Sequence, residues 1–264
     1  MKISANVLVE NEENFLWFAV TSVIAYVDEV LIYNAGSVDY TRRVISELVT
    51  KFPDKIIVKH LPKLTKEEYP AVRQEMLEKS SGDWIFILDG DEVWWESSIA
   101  ELTKQIHDNG NSLDSIVSYF TNCIGDLFHF QDEKKQNYII DGKKGALTIR
   151  AFSKHLPGLH VDREYGREGF FSEQTLIQDL SSERRMHLVN TAFLHMTHLS
   201  RSDVGSKKMK SEVGHAFPLD YYYPEALFKE RPSFVSYPFY VRGKGYLLKS
   251  AVRKAAKSIY SVVR

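Results

Sequence analysis

The nine residues WIFILDGDE, Trp84–Glu92, decide the fold of this chain. Five apolar residues end abruptly in three carboxylates, Asp89, Asp91 and Glu92. A short apolar run with polar boundaries is typical of a buried strand, and ligands of open α/β sheets collect at the carboxyl ends of strands. Carboxylates crowded at one strand end repel one another unless a cation or a proton neutralises them. The stretch therefore predicts a central strand whose end holds Mg²⁺ or Mn²⁺, with a phosphate-bearing substrate on the metal.

The same carboxylates have a simpler interpretation, in which they cap the helix that follows. A helix cap needs only one such side chain. Three carboxylates within four positions therefore favour the metal site.

Length and composition restrict the fold and the partners. The chain has 264 residues, 44% hydrophobic and 26% charged, which is typical of one large α/β domain or of a domain with an appendage. The net charge of −1 hides an asymmetry, because Arg231–Arg264 contain eight Lys or Arg and no Asp or Glu. The first 230 residues thus carry 26 basic and 35 acidic groups, a balance of −9. Such an acidic body argues against a nucleic-acid partner.

Cysteine usage and hydropathy indicate the compartment. Cys123 is the single cysteine, so an intrachain disulfide and a cysteine-based zinc site are excluded. The first residues lack the apolar core of a signal peptide, and no apolar run reaches the length of about 18 residues that a membrane helix needs. A cytoplasmic location is the expectation.

The first half of the chain alternates between strand and helix patterns, which predicts a parallel sheet covered by helices over residues 1–107. The predicted strands span 3–9, 29–33, 55–59 and 84–88, and the predicted helices span 12–26, 39–52 and 67–79. The second half is less regular, with predicted strands at 115–120, 145–152 and 188–198. Residues 131–144 have the composition of a polar loop, and residues 158–172 that of an active-site loop.

The C-terminal segment predicts a basic amphipathic helix over residues 246–263. Apolar side chains recur along one side and lysines and arginines cover most of the rest. Such a helix can lie on an anionic membrane surface or dock on the domain with its basic face in solvent. Both interpretations stay open.

Three more motifs lie where the carboxyl-end loops of neighbouring strands would converge. Residues 9–12 (VENE) end the first strand, residues 33–41 (YNAGSVDYT) follow the second, and Arg73 lies on the helix before the central strand. With DGDE at 89–92, they resemble the motifs of family-2 glycosyltransferases of the GT-A fold. That family has an Asn-Glu pair, an Asp-x-Gly-Ser-x-Asp-x-Thr turn and an Arg ahead of a strand ending in Asp-x-Asp.

The resemblance covers residues 3–100 and implies an α/β fold of the GT-A (Rossmann-like) type. The expected architecture is a mostly parallel central sheet flanked by helices, with a helical or irregular C-terminal extension. We place the GT-A domain at residues 1–215 and an aromatic and basic extension, with a possible membrane contact, at residues 216–264.

The resemblance also implies residues that bind the donor. It implies that Glu12 lies near the ribose and base, that Asp89 approaches the ribose and that Arg73 meets the diphosphate. Asn34 stands where the family has an Asp that accepts a hydrogen bond from the base; an amide can accept, but it lacks the charge and adds a donor. Asp39 completes the predicted set.

Three of these residues have structural alternatives. Glu12 would also suit the dipole of a helix start, and Asp39 would cap a helix. Arg73 could be a solvated helix residue or the partner of Asp89.

The metal is implied to bind Asp91, with a histidine from the segment 194–198 (LHMTH) as a second ligand. His195 and His198 lie three residues apart, so on an ideal strand they face opposite sides and one strand does not aim both at one ion. His195 is the favoured ligand, and a structural role is the alternative for each histidine.

An acceptor hydroxyl needs a base, which we expect in the loop His160–Glu168. Related sequences often read Val-His-Glu there, and Gly166-Arg167-Glu168 aligns best, so Glu168 is the first candidate and Glu164 the second. A salt bridge to Arg163 or Arg167 is the structural alternative.

The leading hypothesis is an inverting, metal-dependent glycosyltransferase that moves a sugar from a nucleotide-sugar donor to a glycan or lipid-linked acceptor. Its acceptor would be a cell-surface glycan, and the basic tail would place it at the inner face of a membrane. One alternative is a haloacid dehalogenase-type phosphohydrolase with Asp89 as nucleophile, although that motif usually lies on the first strand of its fold. The other alternative is a non-catalytic relative that binds a nucleotide sugar.

Overall fold

The structure is a computed structural model that describes residues 1–132, 135–202 and 212–262, with the backbone alone for Val189 and residues 254–262. Strands and helices alternate in the first half of the chain, as predicted. They are β1 (Ile3–Val9), α1 (Leu16–Val23), β2 (Glu29–Ala35), α2 (Thr41–Lys51), β3 (Ile56–Leu61), α3 (Glu68–Lys79), β4 (Trp84–Ile87), β5 (Glu92–Trp94) and α4 (Glu96–Asn109).

The second half consists mainly of strands and ends in a helix. Its elements are β6 (Ser115–Ile124), β7 (Asp126–Phe130), β8 (Tyr138–Ile140), β9 (Lys143–Gly145), β10 (Leu147–Ser153), β11 (His160–Asp162), β12 (Gly169–Ser172), β13 (Thr175–Leu176), β14 (Arg185–His198), β15 (His215–Ala216) and α5 (Lys244–Val262). The predicted polar loop 131–144 contains the β8–β9 hairpin. The predicted active-site loop 158–172 contains the paired strands β11 and β12.

The described strands form one ten-stranded mixed sheet and two small sheets. The main path runs β15-β7-β6-β10-β4-β1-β2-β3, and β14 joins it through β6 and also pairs with β5. Strands β4, β1, β2 and β3 are parallel, whereas β10 is antiparallel to both β4 and β6. The carboxyl ends of β1, β2 and β4 therefore lie at one edge of the sheet, and this edge carries the predicted motifs.

Strand β4 is buried on both faces, which explains its uninterrupted apolar sequence. Trp94 of β5 packs between Phe86 of β4 and Phe193 of β14, with ring centroids 5.0 and 4.9 Å away. Each buried aromatic side chain contributes a large apolar area, and paired rings add about 0.5–1.5 kcal/mol. This packing fixes the turn between β4 and β5, where the three carboxylates lie.

Helix α1 begins at Leu16, four residues later than predicted. Residues 11–15 form a turn instead, with Asn11 at a φ of +57°. The turn is stabilised from outside the helix: Glu12 N donates to Thr41 Oγ1 at 2.8 Å and Asn14 N to the backbone oxygen of Arg201 at 3.1 Å. Because these two backbone N–H groups already donate to other segments of the chain, they need no acceptor within the helix.

The C-terminal extension packs on the main sheet through its aromatic segment. Trp95 Nε1 donates to the backbone oxygen of Tyr222 at 3.0 Å, and the hydroxyl of Tyr223 donates to the backbone oxygen of Leu127 at 3.0 Å. The boundary at residues 215–216 stays a prediction. Among the residues described, no helix is both long enough and apolar enough to cross a membrane.

Candidate active site

The turn from β4 to β5 brings the three carboxylates of the opening motif together. The turn closes through Glu92 N, which donates to the backbone oxygen of Asp89 at 3.1 Å. A Cβ on Gly90 would lie 2.8 Å from Val9 Cγ1 and 3.0 Å from Glu12 Cγ, so the turn packs closely against the end of β1. Asp91 and Glu92 are buried, and the side chain of Asp89 is 34% exposed.

Two arginines from distant elements supply positive charge to these carboxylates. Arg150 of β10 contacts Asp89 Oδ2 at 2.9 Å and also donates to Glu92 Oε1. Arg201, just after β14, lies 2.6 Å from Glu12 Oε1 and 3.3 Å from Asp91 Oδ2. Sequence reasoning missed both arginines. A lone charged residue in the otherwise uncharged strand β10 (LTIRAFS) was the one signal that could have indicated Arg150.

His195 joins Asp89, Asp91 and Glu92, and we call these four residues the carboxylate cluster. Strand β14 pairs antiparallel with β5, which places His195 opposite Glu92. Its Nε2 lies 3.4 Å from Asp91 Oδ1. His198 is the last residue of β14, and its backbone oxygen accepts a hydrogen bond from Gly125 N at 3.4 Å. The predicted metal role of each histidine stays a prediction, and the geometry favours His195.

The ionisation of the cluster follows from burial and charge. Burial raises the pKa of a carboxyl group, but His195 and Arg201 lower the pKa of Asp91 to about 2. Arg150 and Arg73 likewise overcome burial and hold the pKa of Asp89 below its ordinary value. Burial raises the pKa of Glu92 although Arg150 opposes it. The nearby carboxylates raise the pKa of His195 although burial opposes them, so the cluster favours imidazolium.

The donor atoms of this cluster suit a divalent cation. One ligand atom each from Asp89, Glu92 and His195 lie within 4.8 Å of one another, and Asp91 lies next to the same imidazole. Carboxylate oxygens with one imidazole are a ligand set for Mn²⁺ or Mg²⁺. The predicted ligand Asp91 thus has two further carboxylates, Asp89 and Glu92, as neighbours that could hold the same ion.

Three of the predicted donor-binding residues lie at the ends of the first two strands: Asn34 on β2, Asp39 in the turn after β2 and Glu12 in the turn after β1. Asn34 is buried; its Oδ1 accepts from Ser37 N at 3.0 Å and its Nδ2 lies 3.4 Å from His60 Nδ1. Asp39 Oδ1 accepts from Thr41 N at 2.9 Å at the start of α2. Glu12 is bound to Arg201. These contacts give each residue a structural role, and its contact with a nucleotide stays a prediction.

A cavity of about 520 Å³ extends from Asp89 between α3, β10 and the β11–β12 hairpin. Arg73 and Glu168 both line it, with Arg73 Nε 3.7 Å from Glu168 Oε1. Arg73 Nε is buried and has no hydrogen-bond partner among the described residues. Glu168 Oε2 accepts from Gly166 N, whereas Glu164 is exposed on the turn outside this lining. The structure thus brings Glu168, and not Glu164, into one cavity with Asp89.

Comparison with known proteins adds a family match. The profile described as Glycosyl transferase family 2 matches residues 4–156, which contain nearly all of β1, all of β2 to β4, the three carboxylates and Arg150, but neither His195 nor Arg201. No curated protein sequence matches the chain.

Solved structures resemble the fold. A crystal structure of S. aureus TarS gives a TM-score of 0.50 at 14% identity and covers 75% of this chain and 37% of that one. TarS 1–349 in complex with UDP-GlcNAc gives 0.50 at 14% identity, with coverages of 74% and 58%. The mannosyltransferase PcManGT from Pyrobaculum calidifontis, in complex with GDP-Man and Mn²⁺, gives 0.47 at 13% identity, with coverages of 74% and 57%.

These likenesses concern the fold alone. The chain spans 37–61% of the length of the first three matching structures. With the family match, the TarS structures confirm the predicted GT-A architecture: the sheet is mixed, its core strands are mostly parallel as predicted, and helices flank it.

Proposed function

This chain belongs to glycosyltransferase family 2, and on that premise we propose that it transfers a sugar from a nucleotide-sugar donor to an acceptor hydroxyl. We propose further that the transfer inverts the anomeric carbon and depends on Mg²⁺ or Mn²⁺. The complex of TarS 1–349 with UDP-GlcNAc supports a nucleotide-sugar donor. The family match favours this reaction over the phosphohydrolase alternative.

One observation carries the proposal: Asp89, whose carboxylate lies within 4.8 Å of ligand atoms of Glu92 and His195, lines the same cavity as Glu168. Metal ligands and a carboxylate base are the two kinds of group that this transfer needs, and here one carboxylate of the metal cluster and the candidate base line one cavity. Asp91 and His195 would hold the metal, with Asp89 and Glu92 adjacent and His198 as a further candidate. When bound, the metal supplies positive charge to the leaving nucleoside diphosphate.

The donor side of the proposal uses residues at the ends of β1 and β2 and on α3. Glu12, Asn34 and Asp39 border the nucleotide, and Arg73 faces the diphosphate. The unsatisfied, buried Nε of Arg73 supports this role, because an oxygen of the ligand would give it a partner.

The acceptor side uses Glu168, with Glu164 as the second candidate. Glu168 takes the proton of the acceptor hydroxyl while that oxygen forms its bond to the anomeric carbon. The bond from this carbon to the diphosphate oxygen breaks on the opposite face, and the electron pair leaves with the nucleoside diphosphate. Arg73 Nε lies 3.7 Å from Glu168 Oε1 and holds this carboxylate at the wall of the cavity.

The proposed membrane location and the proposed acceptor depend on helix α5. Leu247, Leu248 and Val252 are exposed along this helix, next to Lys249 and Arg253. Exposed apolar and basic side chains on one helix suit the anionic inner face of a membrane. A cell-surface glycan on a lipid carrier would meet the enzyme there, so we propose a cytoplasmic, membrane-peripheral enzyme with such an acceptor.

A thermal-shift screen of nucleoside diphosphates with and without Mn²⁺ tests the proposed function. At a concentration of about 100 Kd, a ligand that binds the folded protein should raise the Tm by about 5 °C. Asp91→Asn should remove the Mn²⁺-dependent part of the shift. Asp108→Asn, which changes a carboxylate on the exposed face of α4, is the matched control.

Failure of every nucleoside diphosphate to shift the Tm, with Mn²⁺ or without it, would refute the proposal. A nucleotide that binds without any turnover of its sugar conjugate would favour the non-catalytic relative instead.

A further inference from the structure

The cavity beside Asp89 is basic although the body of the protein is acidic. Its lining contains four arginines, Arg73, Arg150, Arg163 and Arg167, and two carboxylates, Asp89 and Glu168. The first 230 residues carry a net charge of −9, so this local excess of positive charge runs against the overall balance. A cleft with one sign of charge concentrates ligands of the opposite sign.

The four arginines fall into two pairs. Arg150 is bound to Asp89 and Glu92, and Arg73 lies beside Glu168. Arg163 and Arg167 differ: within the parts of the chain that the structure describes, neither guanidinium has a carboxylate within 4.0 Å, although Arg163 N donates to Asp162 Oδ1 at 2.6 Å. Since Arg73 is assigned to the donor diphosphate, these two guanidiniums are the charges that the cavity leaves for an acceptor, and we call them the Arg163–Arg167 pair.

The Arg163–Arg167 pair lies on a turn that is anchored to the domain. Arg163 stacks on Phe171, with its Cζ 4.7 Å from the ring centroid. Tyr165, between the two arginines, packs on Tyr69 of α3 with ring centroids 4.3 Å apart, and its N donates to the backbone oxygen of Lys66 at 3.1 Å. An anchored turn presents its guanidiniums at lower entropic cost than two free surface side chains would.

We propose that the acceptor is a sugar that carries an anionic group, phosphate or carboxylate, and that the Arg163–Arg167 pair binds this group. The inference rests on the proposed function, since it assigns this cavity to the acceptor. The planar fork of a guanidinium matches phosphate and carboxylate oxygens and forms charge-assisted hydrogen bonds with them. Phe170 and Ile149 in the same lining offer apolar surface to the sugar.

Ligand-observed NMR titrations with glucose, glucose 6-phosphate and glucuronate test the proposal in phosphate-free buffer. The protein is saturated with Mg²⁺, which is diamagnetic, and with the nucleoside diphosphate found in the screen. Glucose 6-phosphate, glucuronate or both should bind at least about tenfold tighter than glucose. Preference for the phosphate alone identifies a phosphorylated acceptor, and preference for the glucuronate a carboxylated one.

The double variant Arg163→Gln/Arg167→Gln should lose this preference, and Arg163→Lys/Arg167→Lys should keep most of it. The Kd of the nucleoside diphosphate should change less than about twofold in both, because the donor uses other residues. Arg184→Gln/Arg231→Gln removes two charges outside the cavity and is the matched control.

Equal affinities for glucose and its anionic analogues would overturn the proposal. So would a loss of nucleoside diphosphate affinity in the glutamine variant, because the pair would then serve the donor. Absence of nucleoside diphosphate binding in the wild type would refute the proposed function instead. The sugar titrations, run without nucleotide, would still decide the anion site by the same criteria.

Discussion

Arg150 is the residue on which the charge balance of the carboxylate cluster depends. Its guanidinium contacts both Asp89 and Glu92, and the side chain is only 13% exposed. Arg150→Met would remove this shared cation and leave two buried or half-buried carboxylates behind. We expect the free energy of unfolding to fall by about 3–5 kcal/mol, as measured by urea unfolding at pH 8.

The loss should be smaller at pH 5. Burial raises the pKa of Glu92, so this carboxyl favours the fold at low pH and opposes it as the pH rises. Once protonated, Glu92 no longer needs the cation. Arg184→Met is the control, because Arg184 pairs with Asp114 at 2.9 Å on the surface and should contribute less than about 1 kcal/mol. Equal losses for both variants at pH 8 would contradict this account.

Glu168 is the residue on which the proposed chemistry depends. Glu168→Gln keeps the shape of the side chain but removes the proton acceptor, so turnover should fall by about 10²–10⁴-fold. The Kd of the nucleoside diphosphate should change little. Release of nucleoside diphosphate from the donor measures turnover. Glu164→Gln, on the exposed part of the same turn, should have little effect, and the reverse order would make Glu164 the base.

The sequence predicted the members of the cluster that lie in local motifs. Asp89, Asp91 and Glu92 follow one apolar run, and their convergence is a property of the strand end itself. Arg150 and Arg201 escaped prediction because they act across 58 to 189 residues of chain. Partners so far apart in the chain meet only through sheet pairing, which no local spacing indicates.

At the scale of elements, the turn after β2 shows how closely the edge of the sheet is packed. Gly36 has a φ of +73°, and a Cβ there would lie 2.4 Å from the backbone nitrogen of Lys63. Gly36→Ala therefore adds a clash with backbone to the cost of a left-handed conformation. Gly142 has nearly the same φ, +72°, and a Cβ there would meet no described atom within 4 Å. Substitution of Gly142 by alanine therefore measures the cost of the left-handed conformation alone.

We expect Gly142→Ala to cost about 1–2 kcal/mol of unfolding free energy. Gly36→Ala should cost about 1–3 kcal/mol more than that, since backbone cannot move as a side-chain tip does. Thermal or urea unfolding of the two variants gives the difference. Equal costs would mean that the turn yields and that the end of β2 is less rigid than its packing indicates.

Elements with strong periodicity were predicted well, and elements defined by tertiary contacts were not. Strands β1 to β4 and helices α2 and α3 have ends within two residues of the prediction. Helix α1 starts later than predicted because the backbone N–H groups of Glu12 and Asn14 donate to other segments of the chain. The β8–β9 hairpin escaped because each of its strands has only three residues, too few to show a period, and its turn, Asp141-Gly142, is the one local signal.

At the scale of the whole molecule, the extension is joined to the sheet by a buried charge. Asp126 of β7 is fully buried and accepts from Arg242 N at 3.1 Å, and Arg242 Nη1 donates to the backbone oxygen of Val213 at 2.6 Å. Tyr246 packs on Gly125, where a Cβ would lie 2.6 Å from its ring. These contacts hold the first turn of α5 against the sheet. Substitutions farther along the helix therefore change its surface charge and leave the contact between the helix and the sheet intact.

The double variant Lys249→Glu/Arg253→Glu should weaken binding to vesicles that contain phosphatidylglycerol. Both side chains lie on α5 beyond its contact with the sheet, next to exposed Leu248 and Val252. Each basic group near an anionic surface contributes about 1 kcal/mol, so reversing two should lower the partition coefficient by well over about tenfold. The control is Lys143→Glu/Lys144→Glu, which makes the same change of charge on the exposed β9 strand. Sedimentation with vesicles measures both. If the two double variants bind equally, net charge alone governs the interaction, and α5 is a docked helix with a solvated basic face.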